Sequence, residues 1–274
     1  MNKLTTEKRI QIIRCLVEGN SIRATCRMTG IAKNTVIKLL VDFGKVCSEY
    51  QNKALRNLTC KKLQCDEIWA FCYAKQKNVP NDKKDKFGYG DIWTFTAICA
   101  DTKLLPSWLI GNRDLECAIK FIKDLTGRLK NRIQLTTDGH KMYLNAVEDA
   151  FGNEIDFSQL IEIYGNTIES EKRYSPAECT GIEKIKINGK PEDESISTSY
   201  VERQNLTMHM NMRRFTRLTN AFSKKVENHN YAIALYFMYY NFCRIHQTLR
   251  VTPAMEAKVT DRLWNIEDIL KLIK

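Results

Sequence analysis

The sequence predicts an α/β fold: a mixed sheet flanked by helices, preceded by a small all-α unit. Three observations point there. Residues 5 to 43 hold three short helical patterns before any strand pattern appears. Three runs rich in β-branched and aromatic residues then follow one another with only loops between them. After these, helix, strand, helix and strand patterns alternate.

The first helix takes its apolar face from Ile10, Ile12, Ile13, Leu16 and Val17. SIRATCRMTG follows, with Ser21 as N-cap and Gly30 at a tight turn. IAKNTVIKLLVDF is the third helix, turning Ile31, Val36, Leu39 and Leu40 inward. Helix, Gly-containing turn and helix form the helix-turn-helix pattern. Lys33, Asn34, Thr35 and Lys38 lie on its outer face, where such a helix meets base edges and phosphates. Ala32 stands where a capping Ser or Thr is preferred. We expect residues 1–45 to be the DNA-binding domain and 46–61 a linker.

A catalytic domain is expected over 62–250. KLQCDEIWAFCYA is its first strand and KQKNVPNDKKDKFGYG a lysine-rich loop. DIWTFTAICAD and LLPSWLIG are the second and third strands. DLECAIKFIKDLTGRLK is an amphipathic helix capped by Asn112 or Asp114. RIQLTTD is the fourth strand, GHKMYLNAVEDAF a helix and FSQLIEIYG the fifth strand. Residues 165–199 are expected to be a long loop. Everything from about 198 onward is expected to be helical, with 251–274 a helical tail. This order matches the ribonuclease H-like fold.

Composition narrows the partners. The chain has 274 residues, is 43% hydrophobic and carries a formal charge of +11. A sizeable core can be buried, and the charge favours a polyanion, nucleic acid before an anionic membrane. The ten cysteines contain no C-x-x-C, and only four histidines are present. No zinc site is expected, and the thiols are read as reduced and cytosolic. No apolar signal region opens the chain, and no stretch approaches the ~20 apolar residues of a membrane span. A cytoplasmic protein with no membrane partner is expected.

Phosphodiester chemistry needs divalent ions held by a few carboxylates, and Mg²⁺ prefers hard oxygen ligands. Asp66 sits inside the first strand, where a carboxylate is costly without a purpose. Neighbouring Glu67 points to the other face and is a second candidate. Asp138 ends the fourth strand, a place that also fits a cap for the next helix. Glu202 begins the helix in STSYVERQNLTMHMNMRRFTRLTNAFSKKVENH. At helical spacing Glu202, Asn205, His209, Arg213, Thr216 and Asn220 share one stripe, opposite Met208, Phe215, Leu218, Phe222 and Val226. Arg203, Arg214 and Arg217 lie on a flank suited to phosphate.

Several segments carry a resemblance. CDEIWAFCYAKQKNVP, KFGYGDIWTFTAICADTKLLPSWLIG, LTTDGHKMY, RYSPAEC, the Tyr-Val-Glu-Arg-Gln helix and YFMYYNFCRIHQTLRVTPAMEA resemble the DDE transposases of the bacterial insertion sequence one family, over nearly the whole chain. The resemblance implies Asp66, Asp138 and Glu202 as ligands of Mg²⁺, with Mn²⁺ as substitute. It implies double-stranded DNA partners: the element's terminal inverted repeats and a target. It implies hydrolysis at the 3′ ends, then attack of the 3′-OH on target DNA, by a homodimer or higher oligomer. Many such enzymes carry Lys or Arg seven residues after the Glu. Here that place holds His209, with Arg213 one turn on. The C-terminal Arg244, His246 and Arg250 also fit a tyrosine recombinase, but no nucleophilic Tyr follows. A ribonuclease H or resolvase-type nuclease needs no sequence-reading N-terminal unit. A transposase-derived regulator would keep residues 5–43 and tolerate loss of the acids.

Overall fold

The computed structural model describes residues 4–84, 86–165, 179–216 and 219–273. A six-stranded mixed sheet forms its centre, with helices around it. The strands are β1 (Lys62–Cys72), β2 (Gly90–Cys99), β3 (Ser107–Gly111), β4 (Gln134–Asp138), β5 (Asp156–Tyr164) and β6 (Cys179–Asn188), in the spatial order β3-β2-β1-β4-β5-β6. β1, β2 and β3 form an antiparallel meander. α4 (Leu115–Thr126) then carries the chain over to β4, which lies parallel to β1. α5 (Met142–Phe151) leads to β5, parallel to β4. Asp114 is the cap of α4, accepting from the Cys117 amide at 2.9 Å.

Before the sheet come α1 (Thr6–Val17), α2 (Ile22–Thr29) and α3 (Lys33–Ala54). Ser21 caps α2, Gly30 ends it at φ 71°, and Ala32 opens α3 with no side-chain bond. α3 continues through most of the expected linker as helix. It runs on to Ala54 because its inner face stays apolar through Phe43, Cys47 and Leu55. α3 packs along α7 (Val226–Met238), and Gly44 sets how closely. A Cβ there would stand 2.3 Å from the Tyr231 Cβ. Ile13, Val17, Leu40 and Phe43 therefore share one core with the sheet residues Leu63, Phe95 and Leu135.

Two expectations need correction. Residues 165–199 are not one long loop: 179–188 form β6, antiparallel to β5. It is an edge strand with most of its side chains exposed, held by its backbone ladder, so burial left no alternating pattern to read. The helix carrying Glu202 is also shorter than expected. α6 (Ser199–Asn211) ends before Arg213, so Arg213, Thr216 and Asn220 do not continue its stripe. Polar groups take over the last turn. Asn211 donates to the Thr207 carbonyl at 2.9 Å, and the Thr216 hydroxyl to the His209 carbonyl at 3.1 Å. None of the described residues from Met212 to Lys225 is helical, so Phe215 and Phe222 are not on a helix either. After α7 come a π-helical turn (Tyr239–Cys243), α8 (Pro253–Glu256) and α9 (Ile266–Lys271). Among the described residues no helix is long and apolar enough to cross a membrane.

Candidate active site

The site begins where β4 leaves β1. Their parallel pairing ends at Cys65 opposite Thr137, so the next residues, Asp66 and Asp138, stand side by side with no further ladder between them. Glu67 follows at once on β1. Carboxylate oxygens of Asp66, Glu67 and Asp138 lie within 4.8 Å of one another.

Each acid is held differently. Asp66 faces α6: its Oδ2 accepts from Asn205 Nδ2 at 2.7 Å, and its Oδ1 from the Glu67 amide at 2.7 Å. Asp138 Oδ1 accepts from the His140 amide at 3.2 Å. This is a local turn and not a helix cap, since α5 starts only at Met142. Gln159 Nε2 donates to the Asp138 and His140 carbonyls, fixing the turn against β5. Glu67 is the most enclosed, its side chain 0% exposed. It lies against the buried Tyr143 ring of α5 and accepts from Arg113 Nε at 3.0 Å. The Arg113 guanidinium also reaches Asp138 Oδ2 at 3.5 Å and stacks 4.6 Å over Trp93.

Glu202 stands outside this tight group. It is exposed, in the first turn of α6, and accepts from the Thr198 hydroxyl. α6 itself is pinned to β1, because Gln64 Oε1 accepts from the Tyr200 and Val201 amides at 2.8 and 3.1 Å. That link spares two of the helix's unpaired N–H groups and sets Glu202 over the strand that carries Asp66.

The electrostatics follow from the crowding. Burial pushes the Asp66 carboxyl up to about 6, and the Asp138 and Glu202 charges add to it. Burial and then Asp138 push Glu67 up to about 7, against the pull of Arg113. Burial and Arg113 push His140 down. One guanidinium faces three converging carboxylates, and such a set of hard oxygens under mutual repulsion fits a divalent cation.

The other expected residues are spread out. Lys33, Asn34 and Lys38 are exposed at the start of α3, with Thr35 half-buried. Arg203 is exposed on α6 and Arg213 just past its end. His209 binds the Phe215 carbonyl through Nδ1 at 2.8 Å and so ties down the turn after α6. Arg214 does not lie on a phosphate-facing flank. It turns inward, donating from Nη1 to Ser223 Oγ at 2.8 Å, and loss of solvent pushes it down to about 10. With the helix already ended, its position no longer follows the helical stripe. Arg217 and Leu218 lie outside the described residues, as do 166–178. Arg113 was not singled out from the sequence. The available signal was a cation at a strand-to-helix junction on the acids' edge of the sheet. No family model matches the chain, and no curated protein matches it.

Proposed function

We propose that the chain is a metal-dependent DNA transposase of the DDE type, built on a ribonuclease H-like sheet with an N-terminal helix-turn-helix. The observation that carries this reading is the meeting of Asp66, Glu67 and Asp138 at the point where two parallel central strands part. A basic chain with exposed lysines at the start of α3 supports DNA as substrate. Bound Mg²⁺, or Mn²⁺ in its place, would activate the attacking oxygen and steady the leaving one. Asp66 and Asp138 would hold it, with Glu202 brought in from α6. Asn205 orients Asp66, and Gln64 holds α6 in place. Arg113 limits the repulsion among the acids and sits beside the position a phosphate would approach. The expected reactions are hydrolysis at the element's 3′ ends and transfer of the 3′-OH to target DNA, on paired ends held by two or more copies.

The test uses a supercoiled plasmid bearing the element's flanking DNA. Nicking and joining with Mg²⁺ or Mn²⁺ are compared for wild type and Asp138→Ala. Wild-type cutting at the ends, with a variant that binds and does not cut, supports the proposal. Binding without cutting by both, in either metal, would overturn it. One observation favours that second reading, a DNA-binding regulator without catalysis. Arg113 already bridges Glu67 and Asp138, so the cluster is partly neutralised by the protein itself.

A further inference from the structure

A row of aromatic rings leads away from the acid cluster along β1. Side chains alternate faces on a strand, so Glu67, Trp69 and Phe71 share one. Trp69 is the direct cross-strand partner of Trp93, the ring under Arg113. The Trp69 and Phe71 ring centres are 5.8 Å apart. Phe71 continues to Phe222 at 4.7 Å, because the 222–224 segment bridges to Cys72 at the strand's end. Just beyond, Tyr73, 38% exposed, meets Tyr89 at 5.1 Å. The part of the row on β1 covers ~13 Å from Glu67 to Phe71 at the rise of an extended strand.

These rings are not closed into the core. Trp69, Phe71, Phe222 and Tyr89 are only half-buried. Cations sit over Phe222, Tyr73 and Tyr89. Lys224 Nζ stands 3.1 Å from the Phe222 ring centre, and Lys83 Nζ stands 4.6 and 5.2 Å from those of Tyr73 and Tyr89. Among the described residues neither ammonium is in an ion pair. Lys75, Lys77, Lys84 and Lys86 are exposed in the adjoining loop.

We infer that this row is a stacking platform for unpaired DNA bases next to the cleavage site. Charge complementarity selects a polyanion. Open ring faces select unpaired bases, since a duplex offers its grooves only base edges. A stacking base takes the lysine's place over the ring, and the displaced ammonium turns to the phosphate beside it. The platform rests on the DNA-processing reading and deepens it: an end opened at the acid cluster would run its single strand along β1.

The test measures binding of the full chain to a 2-aminopurine-labelled oligothymidine of about 15 nucleotides, a length within the usual single-strand site sizes. Equilibrium affinity and fluorescence quenching are read for wild type, Tyr73→Ala, Phe222→Ala and Tyr73→Phe, with thermal melts as a check of folding. Each alanine variant is expected to bind about 5- to 140-fold more weakly, the range of one lost stacking contact. Quenching should fall with affinity, while Tyr73→Phe keeps both. Equal binding by folded alanine variants would overturn the platform. So would equal quenching competition by a duplex, or tighter binding to oligouridine, which would assign the surface to RNA. If wild type never nicks DNA yet quenches as described, the platform stands and the transposase reading fails. If it nicks and the alanine variants bind unchanged, the reverse holds.

Discussion

Arg113 donates from Nε to Glu67 Oε2 at 3.0 Å, and it does so beneath a strand end where two aspartates already crowd together. The pair joins a fully enclosed carboxylate to a guanidinium that is 35% exposed. It is the one counter-charge described within the cluster, and it opposes the upward push that burial and Asp138 give Glu67.

The metal-free protein should lose stability as pH rises from 4.5 to 7.5. Asp66 is raised from 3.8 to about 6 and Glu67 from 4.5 to about 7. Groups raised on folding bind more protons in the native state, so their contribution is full below the ordinary carboxylate range. It is lost as pH passes through about 6 to 7. The loss should be on the order of a few kcal/mol. Urea unfolding with chelator present checks this. Glu67→Gln should flatten the slope, and Arg113→Ala should steepen it and cost about 2 kcal/mol at pH 8. An unchanged slope in Glu67→Gln would show that the carboxyl does not titrate in this range.

Glu202 offers a sharper separation of structure from activity. It is exposed and bonded only locally to Thr198 among the described contacts. Glu202→Gln should change stability by no more than about 0.5 kcal/mol. It should nonetheless abolish plasmid nicking if α6 delivers this carboxylate to the metal. Nicking at the wild-type rate by the variant would remove Glu202 from the site and leave Glu67 as the third acid.

Gly44→Ala tests the join between the N-terminal helices and the sheet. The added Cβ would stand 2.5 Å from the Tyr231 carbonyl oxygen, and backbone cannot yield as a side chain can. α3 and α7 would have to separate, at a cost of about 1–3 kcal/mol or more. Thermal melting should show one transition at lower temperature. Two transitions would mean that the N-terminal helices unfold on their own.

The sheet was legible wherever burial wrote a pattern. KLQCDEIWAFC and GDIWTFTAIC read as strands because their β-branched and aromatic residues pack on both faces. β6 was not legible because an edge strand with exposed side chains leaves no such alternation. α6 was over-extended because its apolar spacing runs past Asn211, while the polar bonds that stop it depend on residues meeting in space. At the site, Asp66 and Asp138 were legible as acids in costly or terminal strand positions. Arg113 was not, because a lone arginine before a helix cap gains meaning only once β3 is folded beside β2, one strand away from β1. Glu67 was visible as a second candidate on the other face, but not its closeness to the two aspartates. The end of the β4 ladder frees the β1 edge, and there both carboxylates converge.

The start of α3 carries the last prediction. Lys33 and Lys38 are exposed there, and so is Asn34 between them. If this helix enters the major groove, each lysine neutralises about one phosphate, and Lys33→Ala with Lys38→Ala should lower the salt slope of binding by about 2. That loss should be the same for terminal-repeat and unrelated duplexes, because phosphate contacts carry no sequence. Asn34→Ala should behave differently. An asparagine reading adenine through paired hydrogen bonds is worth about 1–3 kcal/mol, so affinity should fall for the repeat alone and the salt slope should hold. Fluorescence anisotropy over a salt series, on both duplexes, separates the two effects. Slopes and affinities identical to wild type in both variants would mean that α3 does not face DNA, and that the basic charge of this chain acts elsewhere.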